Sequence, residues 1–184
     1  KPIREEKGID TSVFFDEDGK AYLYFVRFTN GNVIWCAELK DNLKEIKEET
    51  LTQCIEAVEP WEMVFGKVAE GPSILKRDGL YYLLYSANDF RSQDYAVGYA
   101  TSDSPFGPWK KNSKNPLLHR VDELVGTGHG APFADKDGNL RYIFHAHKSQ
   151  TEVNQRNSYI VDMSLSGKDQ VSIGGGLIRP AVVK

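Results

Sequence analysis

The sequence predicts an all-β fold, a β-propeller of four-stranded antiparallel blades of which three to four are present. Three observations carry that expectation. An eleven-residue unit occurs three times, at 9–19, 69–79 and 128–138. Each copy ends in Asp-Gly and runs into an aromatic strand, at 21–26, 80–86 and 141–146. The closing glycines, Gly19, Gly79 and Gly138, are 60 and then 59 residues apart. Four-stranded units at a fixed period mark a propeller, whose blades number about 4–8 around one axis.

The elements follow in order. Residues 8–15 read as a strand, the turn Asp16-Glu-Asp-Gly19 reverses the chain, and 21–26 form the partner, Asp-Gly being a hairpin signal. Asn30-Gly31 turns into a strand at 32–39, and 50–58 supplies the fourth after a polar turn near position 45. The second unit has strands at 73–76, 81–86 and 95–101. Pro105-Phe-Gly-Pro-Trp109 then closes a tight loop, and 112–116 leads into Leu117-Leu118. The third has strands at 131–134, 140–147 and 158–163 and a turn at 166–169. No stretch carries a ten-residue helical period; residues 42–49 come nearest. The expected organisation is one partial propeller domain over 1–184, with repeats at 8–58, 68–118 and 127–171 and a C-terminal tail at 172–184. Three units cannot close a ring, so the rest of the propeller is expected elsewhere.

Composition narrows the function. The net charge is −3 and no Lys/Arg cluster is long enough to track phosphates, so nucleic acid is not an expected partner. No apolar run approaches the ~20 residues of a membrane span. Lys1-Pro-Ile-Arg resembles a cut end rather than a signal peptide or an initiator methionine. Cys36 and Cys54 lie symmetrically about position 45. A disulfide across a hairpin is one reading, and two buried free thiols are the favoured one.

Nine residues before the Asp-Gly glycine stand Asp10, Glu70 and His129. The innermost strand of each blade begins beside the axis, so equivalent slots point into one funnel. Two carboxylates close together split their proton affinities, and the protonated one suits a general acid. Against this stands a simpler role, each carboxylate capping a blade entrance by accepting backbone N–H bonds. His129 lies in Gly126-Thr-Gly-His-Gly130, whose glycines imply close backbone approach; on the axis it could bind a cation or orient a carboxylate. With Ala131 the segment also matches a Gly-x-Gly-x-x-Ala nucleotide fingerprint, but a strand follows where a phosphate loop needs a helix. His145 and His147 share a strand face, although no third zinc ligand accompanies them. Arg156 and Arg179 are the basic residues best suited to face the funnel, with a surface role as the default for each. Trp61 offers an aromatic platform for a sugar ring, or ordinary packing.

At these residues the sequence resembles glycoside hydrolase family 43, the five-bladed β-xylosidases, α-L-arabinofuranosidases and arabinanases. The matching stretches are 8–23, Glu70-Gly-Pro-Ser-Ile-Leu75, Tyr85-Ser-Ala-Asn88, 95–109 and Gly126–Gly130. The resemblance implies that Glu70 is the general acid, that Asp10 tunes its pKa and holds it, and that His129 sits at a central cation or water site, with structural calcium near it and no cofactor required for the chemistry. It implies Arg156 against the sugar, and inverting hydrolysis of plant cell-wall oligo- or polysaccharides containing xylose or arabinose. A periplasmic or secreted location is expected ahead of a cytoplasmic one. The family's general base is an aspartate of the first blade, and residues 1–7 hold only Glu5 and Glu6. The expectation is therefore that these 184 residues alone cannot hydrolyse a glycoside and that activity needs the N-terminal part. Two other functions stand beside this one: a carbohydrate-binding propeller without catalysis, and a protein-interaction propeller.

Overall fold

The computed structural model describes residue 3 and residues 5–178. Twelve strands form three four-stranded antiparallel sheets. The first contains β1 (Gly8–Phe15), β2 (Ala21–Arg27), β3 (Val33–Glu38) and β4 (Thr52–Glu56). The second contains β5 (Ala69–Arg77), β6 (Leu80–Ala87), β7 (Ala96–Ser102) and β8 (Lys110–Lys111). The third contains β9 (Gly128–Ala134), β10 (Leu140–Ala146), β11 (Asn157–Leu165) and β12 (Val171–Ile178). Within each sheet the strands pair in sequence order. The inner strands lie side by side, β1 against β5 and β5 against β9. These are three blades of a partial β-propeller.

The burial patterns follow from that stacking. β6 and β7 are buried at every position because the middle sheet is covered on both faces. Tyr81, Leu83 and Tyr85 pack into the cluster shared with Tyr24, Val26 and Cys36 of the first sheet. Their neighbours Leu80, Tyr82 and Leu84 pack with Tyr142, Phe144 and Val161 of the third. A run of aromatic and aliphatic residues with no polar alternation is what a doubly covered strand requires. β10 keeps alternation, with Tyr142 and Phe144 buried and Ile143 exposed between them, since only one face of the third sheet is covered by its neighbour. Truncating Leu84, which is fully buried, to alanine would cost about 2–5 kcal/mol. Polar ties cross between blades: the Tyr24 hydroxyl donates to the Pro105 carbonyl at 2.6 Å, and Lys76 pairs with Asp16 at 2.5 Å.

Three expectations change. Residues 172–178 are no tail, because β12 pairs with β11 as the fourth strand of the third sheet; the Gly174–Gly176 run is carried within that edge strand, and 179–184 lie outside the described residues. The fourth strand of the second blade is only Lys110–Lys111. β5 and β9 begin at Ala69 and Gly128 rather than at 73 and 131, so Glu70 and His129 stand inside strands. Residues 42–49 give one short 3-10 turn at Glu48–Thr50, and a second lies at Pro60–Glu62. Cys36 and Cys54 are free; Cys36 is buried and Cys54 half-buried.

Candidate active site

Asp10, Glu70 and His129 come together where the three inner strands begin. One oxygen or nitrogen from each lies within 4.8 Å of the others. The route by which they meet differs from a shared repeat slot. In each inner strand a bulge sets two residues against one: Asp10 and Thr11 face Phe25, Gly71 and Pro72 face Tyr85, and His129 and Gly130 face Phe144. The first bulged residue is left-handed, at φ 56° for Asp10, 58° for Gly71 and 48° for His129. Gly71, not Glu70, is thus the counterpart of Asp10 and His129. Counting back from Asp-Gly conceals this, because the span from bulge to glycine is one residue shorter in the second blade. Bulges re-aim side chains beside active sites, and Glu70 reaches the cluster from the position before its bulge.

Glu70 is only 8% exposed. The Tyr95 hydroxyl donates to one carboxylate oxygen at 2.8 Å and the Asn32 amide to the other at 2.8 Å. Burial pushes its pKa above the usual carboxylate range and the charge on Asp10 adds to that; the bonds from Tyr95 and Asn32, and His129, pull the other way without reversing it. Asp10 accepts the Gly71 N–H at 3.1 Å and lies 4.0 Å from His129 Nε2. The Tyr95 hydroxyl is also 3.4 Å from His129 Nδ1. Its one proton serves the closer Glu70, so hydrogen-bond logic assigns the proton between Tyr95 and His129 to Nδ1. The backbone of His129 donates to Ser86 Oγ at 2.7 Å.

Asp10 and His129, with Ser12, Gly71, Pro72 and His145 among others, line a cavity of about 380 Å³. Glu70 sits just behind that wall. The glycines of Gly126-Thr-Gly-His-Gly130 are explained by sterics. A Cβ at Gly128 would stand 2.3 Å from the Tyr95 ring, one at Gly126 would stand 2.1 Å from His147, and one at Gly130 would meet the Ile143 carbonyl at 2.2 Å. β9 and its hairpin follow the motif, as a nucleotide-binding loop would not allow.

The remaining sequence candidates separate. His145 and His147 do not face a common point, since β10 ends at Ala146. His147 Nε2 meets the Phe90 carbonyl at 2.8 Å, whereas His145 lines the cavity and stacks with Tyr95 and His129 at 5.6 and 6.1 Å. Arg156 reaches His145 Nε2 at 2.8 Å and covers the Phe90 ring at 4.6 Å. Its guanidinium always donates, so that nitrogen of His145 carries the lone pair. Burial, then Arg156, hold the His145 pKa down to about 3. Trp61 lies away from the cavity as a packing residue: its ring tilts on Tyr85 at 6.0 Å, and a Cβ at Gly98 would meet it at 2.8 Å. Arg179 lies outside the described residues. Sequence reasoning missed Tyr95, Asn32 and Ser86. The signal available for Tyr95 was Gly128, whose missing side chain makes room for its ring.

The sequence profile described as glycosyl hydrolases family 43 matches residues 1–167. A β-D-galactofuranosidase of Aspergillus niger is 30% identical over 139 residues, which are 76% of this chain and 37% of that protein. A xylosidase/arabinosidase of Butyrivibrio fibrisolvens is 30% identical over 149 residues, covering 77% of this chain and 29% of the other. Among solved structures, an endo-1,4-β-xylanase of Bacteroides thetaiotaomicron superposes with a TM-score of 0.96 at 59% identity, over 100% of this chain and 64% of that one. A thermostable family-43 glycoside hydrolase superposes at 0.86 with 31% identity, over 97% of this chain and 61% of its own. The chain thus spans less than two thirds of the length of these relatives. By profile, sequence and fold together, it belongs to glycosyl hydrolases family 43.

Proposed function

We propose that this chain carries the acid half of an inverting glycoside hydrolase acting on xylose- or arabinose-containing oligo- and polysaccharides. One observation carries the reading: a carboxyl group, Glu70, kept above its ordinary pKa by burial and by Asp10, directly behind the Asp10–Gly71–His129 wall of a cavity of about 380 Å³. Held protonated, it donates to the departing glycosidic oxygen, a contribution of about 10²–10⁴-fold. Asp10 fits the positioning role and not the water-activating one. Its carboxylate lies within 4.8 Å of Glu70, against the ~6.5–9.5 Å between the acid and base of an inverting pair. Among the described residues lining the cavity Asp10 is the single carboxylate, so this reading assigns the base to a part of the protein outside residues 1–184 and expects these residues alone to turn over no glycoside.

His129 Nε2 and Asp10 Oδ1 fit a hydrated cation such as calcium at the cavity wall, with both Glu70 oxygens already engaged by Tyr95 and Asn32. Such an ion needs six or more oxygen ligands, so water would supply most of them. Bound there, it would fix the imidazole and add positive charge beside Glu70. In this reading Arg156, which holds the cavity-lining His145, meets sugar hydroxyls. The solved relative at 59% identity, described as an endo-1,4-β-xylanase, makes xylan the first substrate to test. A polysaccharide of that kind favours a periplasmic or secreted location.

The test follows product anomers by NMR as the intact protein acts on xylo- and arabino-oligosaccharides. Inverted configuration is expected. Retention would overturn the mechanism, and binding without release would mark a carbohydrate-binding propeller.

A further inference from the structure

A ledge runs outward from the cavity. Cavity-lining His145 holds Arg156 at 2.8 Å, the Arg156 guanidinium covers Phe90 at 4.6 Å, and the next residue, Arg91, lies over the Phe65 ring at 5.6 Å. The loops carrying these groups leave the sheets at the end where the site is built, since Ala69 pairs with Ala87 and Ala146 with Asn157. Phe65 is 60% exposed, and Met63 and Val64 beside it are exposed too. Three consecutive exposed apolar side chains are unusual on a loop this firmly anchored. Fully buried Glu62 accepts the Val58 and Glu59 N–H groups, the Tyr85 hydroxyl and Lys111 Nζ, all at 2.6–2.8 Å. Buried Asn88 accepts the Val64 N–H at 2.7 Å and donates to the Trp61 carbonyl at 2.6 Å. Arg91 is fixed by two 2.7 Å bonds to Asp89. Burying a carboxylate is unfavourable unless it is fully bonded; here its bonds hold an apolar surface in one conformation, which lowers the entropy lost on binding.

We propose that Phe65 and Arg91 form an outer carbohydrate subsite, taking the sugar units of the substrate that lie beyond the one in the cavity. The inference rests on the glycosidase reading above. The ring takes the apolar face of a sugar, and the guanidinium N–H groups not engaged by Asp89 donate to its hydroxyls. Continuity with the cavity identifies the occupant as the continuing polysaccharide chain. Further blades would add to the faces of the first and third sheets, not to this loop between the first and second.

The experiment measures kcat/KM of the intact protein on xylo-oligosaccharides of two to six units, for wild type, Phe65→Ala and Phe65→Trp, together with binding of the six-unit sugar. Wild type should improve with chain length. Phe65→Ala should keep the two-unit value and lose about tenfold on the longest substrate, the size of one aromatic contact, and Phe65→Trp should keep the gain. An unchanged length dependence in Phe65→Ala, or an equal loss at every length, overturns the subsite. Should wild type cleave neither these sugars nor the corresponding arabino-oligosaccharides, the hydrolase reading fails separately. Weaker six-unit binding by Phe65→Ala would then still support the ledge, and unchanged or absent binding would overturn it. Loss of self-association in Phe65→Ala at unaltered sugar affinity assigns the ledge to a second copy and also overturns the proposal.

Discussion

Replacing Tyr95 by phenylalanine removes one hydroxyl from the site and leaves the ring that packs on Gly128. That hydroxyl donates to Glu70 at 2.8 Å in a place only 8% exposed to solvent. When Glu70 is ionised the lost bond is one to a charged acceptor, worth about 1.5–3 kcal/mol; when it is protonated the bond is neutral and worth about 0.5–1.5 kcal/mol. The stability lost in Tyr95→Phe should therefore be larger in alkaline than in acidic buffer. The sign is fixed by the direction of the effect: Tyr95 favours the charged form of Glu70, so its removal raises the Glu70 pKa further. Stability linked to that carboxyl then falls as pH rises through the higher value. The basic limb of kcat/KM, where the acid loses its proton, moves to higher pH for the same reason. For a protein of this size each kcal/mol shifts the midpoint by about 2–4 °C, so the alkaline loss should be about 3–12 °C and the acidic loss about half of that or less. Thermal unfolding in two buffers and a pH–rate profile give both readings. Equal losses in the two buffers, or a basic limb displaced to lower pH, would refute the reasoning.

Gly128→Ala should abolish most activity, because its Cβ would displace the Tyr95 ring from 2.3 Å; Gly138→Ala, with nothing within 4 Å, should cost only the strain of its positive φ, about 1–2 kcal/mol, and full activity in Gly128→Ala would contradict this. His145, held down to about 3, should show no imidazole titration by NMR between pH 5 and 8. Its folded pKa lies below the unfolded one, so its contribution to stability is lost as pH falls below about 6.5; an inflection near neutrality would contradict the contact with Arg156. Alkylation of the native protein should mark half-buried Cys54 before Cys36, whose thiol burial pushes up. Mass analysis finding a Cys36–Cys54 bridge would overturn that order.

The blades were legible because their signals are local. Asp-Gly and Asn-Gly turns, doubly covered strands such as β6, and a period near 60 residues need no tertiary knowledge. The convergence of Asp10, Glu70 and His129 was legible too, although by an argument the register corrects: a bulge shifts the count by one in the second blade, and bulges leave no reliable mark in composition. Tyr95 and Asn32 were missed because each lies far from Glu70 in sequence, at the edge of a strand and beside a turn. Trp61 and His147 could not be decided from the sequence, for a common reason. An aromatic ring or an imidazole serves packing as readily as chemistry, and only the partner, Gly98 for one and the Phe90 carbonyl for the other, distinguishes the two. β12 was lost to its glycines, which read as a trailing end until the edge of a sheet is there to hold them.

The most direct test of Glu70 as proton donor compares leaving groups. In the intact protein, Glu70→Gln should lose about 10²–10⁴-fold on a xyloside with a poor alcohol leaving group, and should stay close to wild type on an aryl glycoside whose phenolate departs unaided. The neutral amide can still accept from Tyr95, so the fold should persist. Equal losses on both substrates, or none on either, would contradict the assignment.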